Sequence, residues 1–154
     1  MGRVLNPLWL PRLREVERLC ACNNIRKASR ALAQLFNEAL KPSGLRATQF
    51  ALLVAIATTG AASLTHLGQR LVMDRTTLTR SLKPLEKRGL VAIATGEDRR
   101  TRAVTLTARG REALARALPL WERAQARVVR GLGQKRWRAL LASSSAAVEL
   151  TRRA

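Results

Sequence analysis

Asp74-Arg75-Thr76-Thr77-Leu78-Thr79-Arg80-Ser81-Leu82-Lys83-Pro84-Leu85-Glu86-Lys87-Arg88-Gly89 is the stretch on which the fold turns. Asp74 is a strong N-cap, because its carboxylate accepts from N–H groups that the first helical turn leaves free. Gly89 closes the helix. Between them Leu78, Leu82 and Leu85 share one side, while Arg75, Thr76, Thr79, Arg80, Lys83 and Lys87 share the other. Pro84 lacks the N–H that would bond to Arg80, which predicts a kink. Such a helix has one face to pack and one to present.

Working outward, Ser63 or Thr65 caps a short helix running through Leu71, and Val72-Met73 joins it tightly to Asp74. Downstream, Leu90–Thr95 and Ala103–Leu106 have strand length and composition, separated by the charged turn Gly96–Arg102. Helix, turn, helix, then a hairpin with a basic tip is the order of a winged helix-turn-helix. One helix braces a second whose polar face enters a DNA major groove. Arginine suits bidentate contact to guanine, and threonine meets a base edge, a thymine methyl or a phosphate. Arginines at the tip suit phosphates and narrow minor grooves. The plainer alternatives are a solvated face for Arg75, Arg80 and Lys83, and a surface ion pair for Asp98 and Arg100.

The flanks are helical. From Arg12 to Leu40 apolar residues recur at 13, 16, 19, 25, 28, 32, 35 and 39, which predicts one long amphipathic helix stopped by Pro42-Ser43-Gly44. A buried helix follows around Phe50, Leu53 and Ile56, ended by Gly60-Ala61-Ala62-Ser63. After the hairpin, Thr107 caps a helix toward Arg130, with a bend at Pro119 and breaks at Gly131 and Gly133. A last helix, Gln134 to Arg152, sets Trp137, Leu140, Leu141, Ser144 and Val148 on one face. With little left to cover that face, an interface between subunits is favoured over an intrachain core.

Composition narrows the function. The 154 residues carry 29 Lys+Arg against 10 Asp+Glu, a net charge of +19, yet 47% are hydrophobic. The chain therefore builds a core, and its charge calls for a polyanion, either nucleic acid or an anionic membrane surface. Three Trp, two Phe and no Tyr argue against stacking single-stranded bases. The single histidine, His66, excludes a paired Cys and His zinc finger and reads as structural or as a phosphate contact. No nucleophile–base pair, metal cluster or phosphate loop is present, so neither an enzyme nor a cofactor is expected. The start of the chain is broken by Pro7, Pro11 and charges, unlike a signal peptide. The longest apolar run, Phe50–Ala57, is far too short for a bilayer. A cytoplasmic protein without membrane partners is the expectation.

Cys20 and Cys22 leave alternatives open. On a regular helix the two point about 200° apart and cannot share a metal. If the helix begins only at Asn23 or Asn24, both thiols can face one site, and a helix N-terminus favours the thiolate that oxidises or binds soft metals. They are also adequate small apolar fillers.

The chain resembles the MarR family of bacterial transcription regulators. The likeness rests on Asp74–Arg80, Leu85-Glu86-Lys87-Arg88-Gly89-Leu90-Val91, Glu97-Asp98-Arg99-Arg100 and Val104-Thr105-Leu106-Thr107-Ala108-Arg109-Gly110. Gly44-Leu45 and Thr48-Gln49-Phe50-Ala51-Leu52-Leu53 add to it. The resemblance implies a mainly α fold with a small β-hairpin wing: a winged helix-turn-helix plus N- and C-terminal dimerisation helices. The corresponding parts are an N-terminal dimerisation segment over 1–44, a DNA-binding domain over 45–110 and C-terminal dimerisation helices over 111–154. It further implies a homodimer on a pseudo-palindromic double-stranded operator, with Arg100 in the minor groove and Asp98 holding its guanidinium. One departure is Ala92-Ile93-Ala94-Thr95, which lacks basic residues that relatives often carry.

DNA contacts are thus expected at Arg75, Thr76, Thr77, Thr79, Arg80, Lys83, Asp98, Arg99, Arg100 and Arg102, and subunit contacts at Leu8, Trp9, Leu13, Trp137, Leu140, Leu141 and Val148. The resulting expectation is a repressor released by an aromatic or phenolic ligand, or by thiol oxidation or soft-metal binding at Cys20 and Cys22. The rivals are an architectural protein that packages DNA by charge, and a basic amphipathic membrane-surface protein.

Overall fold

Most helices begin at a side chain that meets the free N–H groups of the first turn. The structure is a computed structural model and describes residues 9–95 and 102–152. It comprises two compact units, one ending at Leu35 and one beginning at Phe36.

In the first unit, α1 (Leu10–Leu19) and most of α2 (Ala21–Leu40) replace the single long helix expected from periodicity. The break falls at Cys20, whose ψ of 109° is extended. Asn24 holds it, its Nδ2 donating to the Arg18 carbonyl at 2.9 Å and the Cys20 carbonyl at 3.0 Å. The apolar stripe changes face at this junction, since on one continuous helix Ile25 would fall about 180° from Val16 and about 120° from Leu19, but nothing in the spacing marks the Asn24 latch itself. α1 buries no residue.

The second unit holds the core. A 3-10 turn, Lys41–Ser43, ends α2, and Gly44 follows with φ +70°. α3 (Ala47–Thr59) starts where Asn37 Oδ1 accepts from Ala47 N–H at 2.8 Å and Gln49 Oε1 accepts from Arg46 N–H at 3.0 Å. α4 (Leu64–Leu71) is capped by Ser63, whose Oγ accepts from His66 N–H at 3.1 Å. α5 (Arg75–Lys87) runs continuously through Pro84. Leu40, Leu53, Ile56, Leu67, Leu78, Leu82, Leu85 and Val104 are fully enclosed between these helices and the sheet. Each such side chain contributes about 1.5–3 kcal/mol. Phe50 stacks on Trp121 at 6.1 Å between ring centroids.

The sheet is larger than the expected hairpin. β2 (Val91–Thr95) and β3 (Arg102–Leu106) pair antiparallel, with Val91 opposite Leu106 and Ile93 opposite Val104 on the core side. A third strand, β1 (Ala62–Ser63), pairs with the other edge of β3. Ala62, expected to end α3, and Ser63, expected to end it or to cap the next helix, become a strand because Val104 and Ala103 lie beside them.

α6 (Ala108–Leu132) starts at a tightly built corner. Thr107 Oγ1 accepts from Gly110 N–H at 3.0 Å and donates to the Gly89 carbonyl at 2.6 Å. A Cβ at Gly110 would overlap the Leu90 carbonyl, so the Leu-Thr-x-x-Gly segment needs glycine for the close approach of helix to strand. Contrary to expectation Gly131 lies within α6, and only Gly133, with φ +77°, ends it. An interior glycine costs only about 1 kcal/mol, too little to stop a helix anchored by Ala117, Ala124 and Val128. α7 (Gln134–Arg152) follows.

Candidate nucleic-acid interface

α4, the three-residue connection Val72-Met73-Asp74 and α5 form the presenting unit. A Cβ at Gly68 would come within 2.9 Å of the Met73 carbonyl, so glycine lets the turn fold back on α4. Val72 occupies the left-handed region at φ 54° and ψ 45°, an unusual place for a β-branched residue.

At the start of α5, Asp74 Oδ1 accepts from Thr77 N–H at 2.8 Å, and its Oδ2 accepts from the Thr77 hydroxyl at 2.6 Å. The hydroxyl bond, followed by the backbone one, holds the Asp74 carboxyl below its ordinary value of 3.8. Thr77 is exposed, with its hydroxyl committed to the cap. Arg75, Thr76, Thr79, Arg80 and Lys83 are exposed along the side of α5 opposite the buried leucines. Thr79 donates its hydroxyl to the Arg75 carbonyl at 2.7 Å, leaving its methyl and an oxygen lone pair outward. The Asp74 carboxylate offsets the positive end of the helix, so the basic character of this face comes from the side chains of Arg75, Arg80 and Lys83.

The wing places Arg102 at the first position of β3, opposite Thr95. Asp98, Arg99 and Arg100 lie outside the described residues, as does Leu8. Of the remaining expected subunit contacts, Trp9 and Leu13 are exposed at α1, Leu140 and Leu141 are exposed on α7, and Trp137 and Val148 are half-buried there. Cys20 is half-buried at the α1–α2 junction, and Cys22 is exposed in the first turn of α2. The second thiol therefore sits inside a helix, unlike the lead-in ending at Asn23 or Asn24. Among the described residues no group of three His, Cys, Asp or Glu could hold a metal ion. No described helix is long and apolar enough to cross a membrane.

Two further residues carry no motif. Arg111 donates Nη1 to the Leu106 carbonyl at 3.1 Å. It borders an open groove of about 500 Å³ whose other walls include Ile56, Ala57, Leu114 and Leu118. Arg152 donates to the Gln69 carbonyl. Its partner lies 83 positions away and no local pattern announces it.

A braced helix with a polar face, followed by a β-hairpin, defines a winged helix-turn-helix protein. A sequence profile described as the MarR family matches residues 43–101. The chain is 41% identical to the M. tuberculosis transcriptional regulator MosR in complex with DNA, covering 86% of this chain and 98% of that one, with a TM-score of 0.77. The repressor CouR bound to p-coumaroyl-CoA is 26% identical, over 85% of this chain and 92% of that one, at a TM-score of 0.75. An uncharacterized HTH-type transcriptional regulator of Bacillus subtilis, YwoH, is 34% identical over 55% of this chain. The match spans 62% of that relative's length, and 57% for a Bacillus cereus regulator that is 36% identical. The chain belongs to the MarR family of transcriptional regulators, which are not enzymes.

Proposed function

We propose that the chain is a homodimeric, sequence-specific DNA-binding repressor in which α5 enters the major groove and the wing enters the minor groove. The carrying observation is the α5 face: Arg75, Thr76, Thr79, Arg80 and Lys83 all exposed on a helix whose opposite side is sealed into the core. The DNA complex of MosR, whose chain is matched almost throughout, supports it. Within this proposal 45–110 is the DNA-binding part, with dimerisation segments at 1–44 and 111–154.

A gel shift on the DNA upstream of the chain's own gene tests it, with excess unrelated duplex as competitor. Arg80→Ala is expected to cost about 1–3 kcal/mol and relax specificity at one base pair. Arg100→Ala is expected to weaken binding as well, and equal binding by that variant would remove the wing from the mechanism. Loss of all binding under competitor would favour packaging by charge instead.

For release, the effector is an aromatic acid. The groove beside Arg111 supports this, being mainly apolar with one guanidinium at its edge. The aromatic acyl ligand of CouR points the same way. The ligand would favour a recognition-helix spacing that no longer fits successive major grooves. A second route is thiol chemistry, favoured by the break in the helix at Cys20 itself. Peroxide would take two hydrogens from the Cys20 and Cys22 thiols, giving a disulfide and two waters, and a soft metal would bind the same sulfurs. A thermal-shift screen of aromatic acids, soft metals and peroxide, repeated on Cys20→Ser/Cys22→Ser, separates the routes. Metal or peroxide shifts that persist in that variant would rule out the thiol route.

A further inference from the structure

The last turn of α7 reaches the helix-turn-helix of its own chain: Arg152 Nη2 donates to the Gln69 carbonyl oxygen at 2.6 Å. Gln69 lies in the last turn of α4, where carbonyls have lost their helical partners. Its own local bond is long, Val72 N–H reaching it only at 3.4 Å. The next residue position that could relax this end is Val72, held in the left-handed region without a glycine's freedom. A guanidinium at this point gives the weakly bonded carbonyl a short second donor and places a cation at the negative end of the α4 dipole. Between the two elements lies a cleft of about 950 Å³ lined by His66, Gln69, Val72, Asp74, Arg75 and Arg152 among others. Among the described residues, Arg152 is its one lining residue from beyond the helix-turn-helix.

We propose that Arg152 is a positioning residue for DNA reading: it caps α4 from α7 and so ties the turn that orients α5 to a dimerisation helix. The inference rests on the assignment of α5 as the recognition helix and α7 as part of the subunit interface. A change at that interface reaches the reading helix through one hydrogen bond to the turn, without passing through the wing.

The test uses the full chain as wild type, Arg152→Ala and Arg152→Lys. Hydrogen exchange on the free protein is the first measurement. Exchange at the Val72 and Met73 amides is expected to rise several-fold in the alanine variant and to return most of the way in the lysine variant, which keeps a cation and a donor. Unchanged exchange in Arg152→Ala overturns the cap. The second measurement is affinity for the upstream duplex over a range of salt concentrations. Arg152→Ala is expected to bind about five-fold more weakly, as a dimer by light scattering, with the same slope of log K against log salt. A slope shallower by about 0.9 identifies a direct phosphate contact and overturns positioning. Equal affinity, or a monomeric variant, overturns it too. A wild type that binds no duplex defeats the DNA assignment, while the exchange measurement still decides whether α7 caps α4.

Discussion

α5 and α1 are both amphipathic helices, and their apolar faces end up in opposite surroundings. α5 encloses Leu78, Leu82 and Leu85 completely. α1 leaves Leu13 and Val16 in solvent, Val16 at 60%, with Trp9 at its start 56% exposed. Their beginnings differ as well. Asp74 caps α5 with two bonds to Thr77, whereas Trp9 offers α1 no side-chain cap. Periodicity therefore identifies a helix with a face to bury, but whether the chain itself supplies the cover depends on contacts far away in sequence. α5 is complete within its own unit. The stripe Trp9, Leu13 and Val16 is left exposed among the described residues, and in the dimer proposed above it would supply one half of a subunit contact.

The largest expected effect breaks the enclosed half of this contrast. Leu82→Ala removes a fully buried side chain and is expected to destabilise the fold by about 3 kcal/mol through lost transfer energy and a residual cavity. Urea denaturation followed by circular dichroism measures it. A loss below about 1 kcal/mol would mean that α5 is not sealed against the core.

The same logic applied to α1 predicts a different kind of damage. Leu13→Glu/Val16→Glu is expected to leave helical content unchanged and to weaken dimerisation about 30-fold, close to 2 kcal/mol. Operator affinity falls in parallel, since two half-sites are then read by separate chains. Dilution followed by light scattering measures the dimer constant. A dimer as tight as wild type would show that this stripe lies outside the subunit interface.

These two regions also differ in how legible they were from sequence. Around α5 nearly everything was readable, because capping is a matter of three residues: Asp74 to Thr77, Ser63 to His66 and Thr107 to Gly110 all join positions i and i+3. The alternation that puts Val91 and Ile93 inward is equally local. Features set by partners at long range were not readable. β1 exists only because β3 runs beside Ala62 and Ser63, and the Arg152 bond to Gln69 joins the last helix to α4. The break at Cys20 falls between these cases, since Asn24 is only four residues away but marks no turn by composition. Of the proposed DNA contacts, those on α5 follow from one helical face, while the pairing of Asp98 with Arg100 rests on resemblance alone.

The smallest effect sharpens the contrast at the caps. Asp74→Ala is expected to lower the melting temperature by a few degrees. It also frays the turn carrying Arg75 and Thr76, so DNA affinity drops with it. Asp74→Asn keeps an acceptor for Thr77 N–H and retains most of the stability, because asparagine caps about as well as aspartate. The two variants differ from wild type in pH dependence. In the folded protein the Thr77 hydroxyl, then the Thr77 N–H, holds the Asp74 carboxyl below 3.8, so folding favours the ionised form. Stabilisation from that charge is fully present above the ordinary carboxylate value and disappears as pH falls through it and then through the lowered folded value. The gap in melting temperature between wild type and Asp74→Ala is therefore expected to be flat from about pH 7 to 5 and to narrow below about pH 4. Asp74→Asn, with nothing to protonate, should track Asp74→Ala at a constant offset across the whole range. A wild-type gap that stays constant down to about pH 2 would mean that the charge on Asp74 contributes nothing, and that the cap on the reading helix is a neutral hydrogen bond.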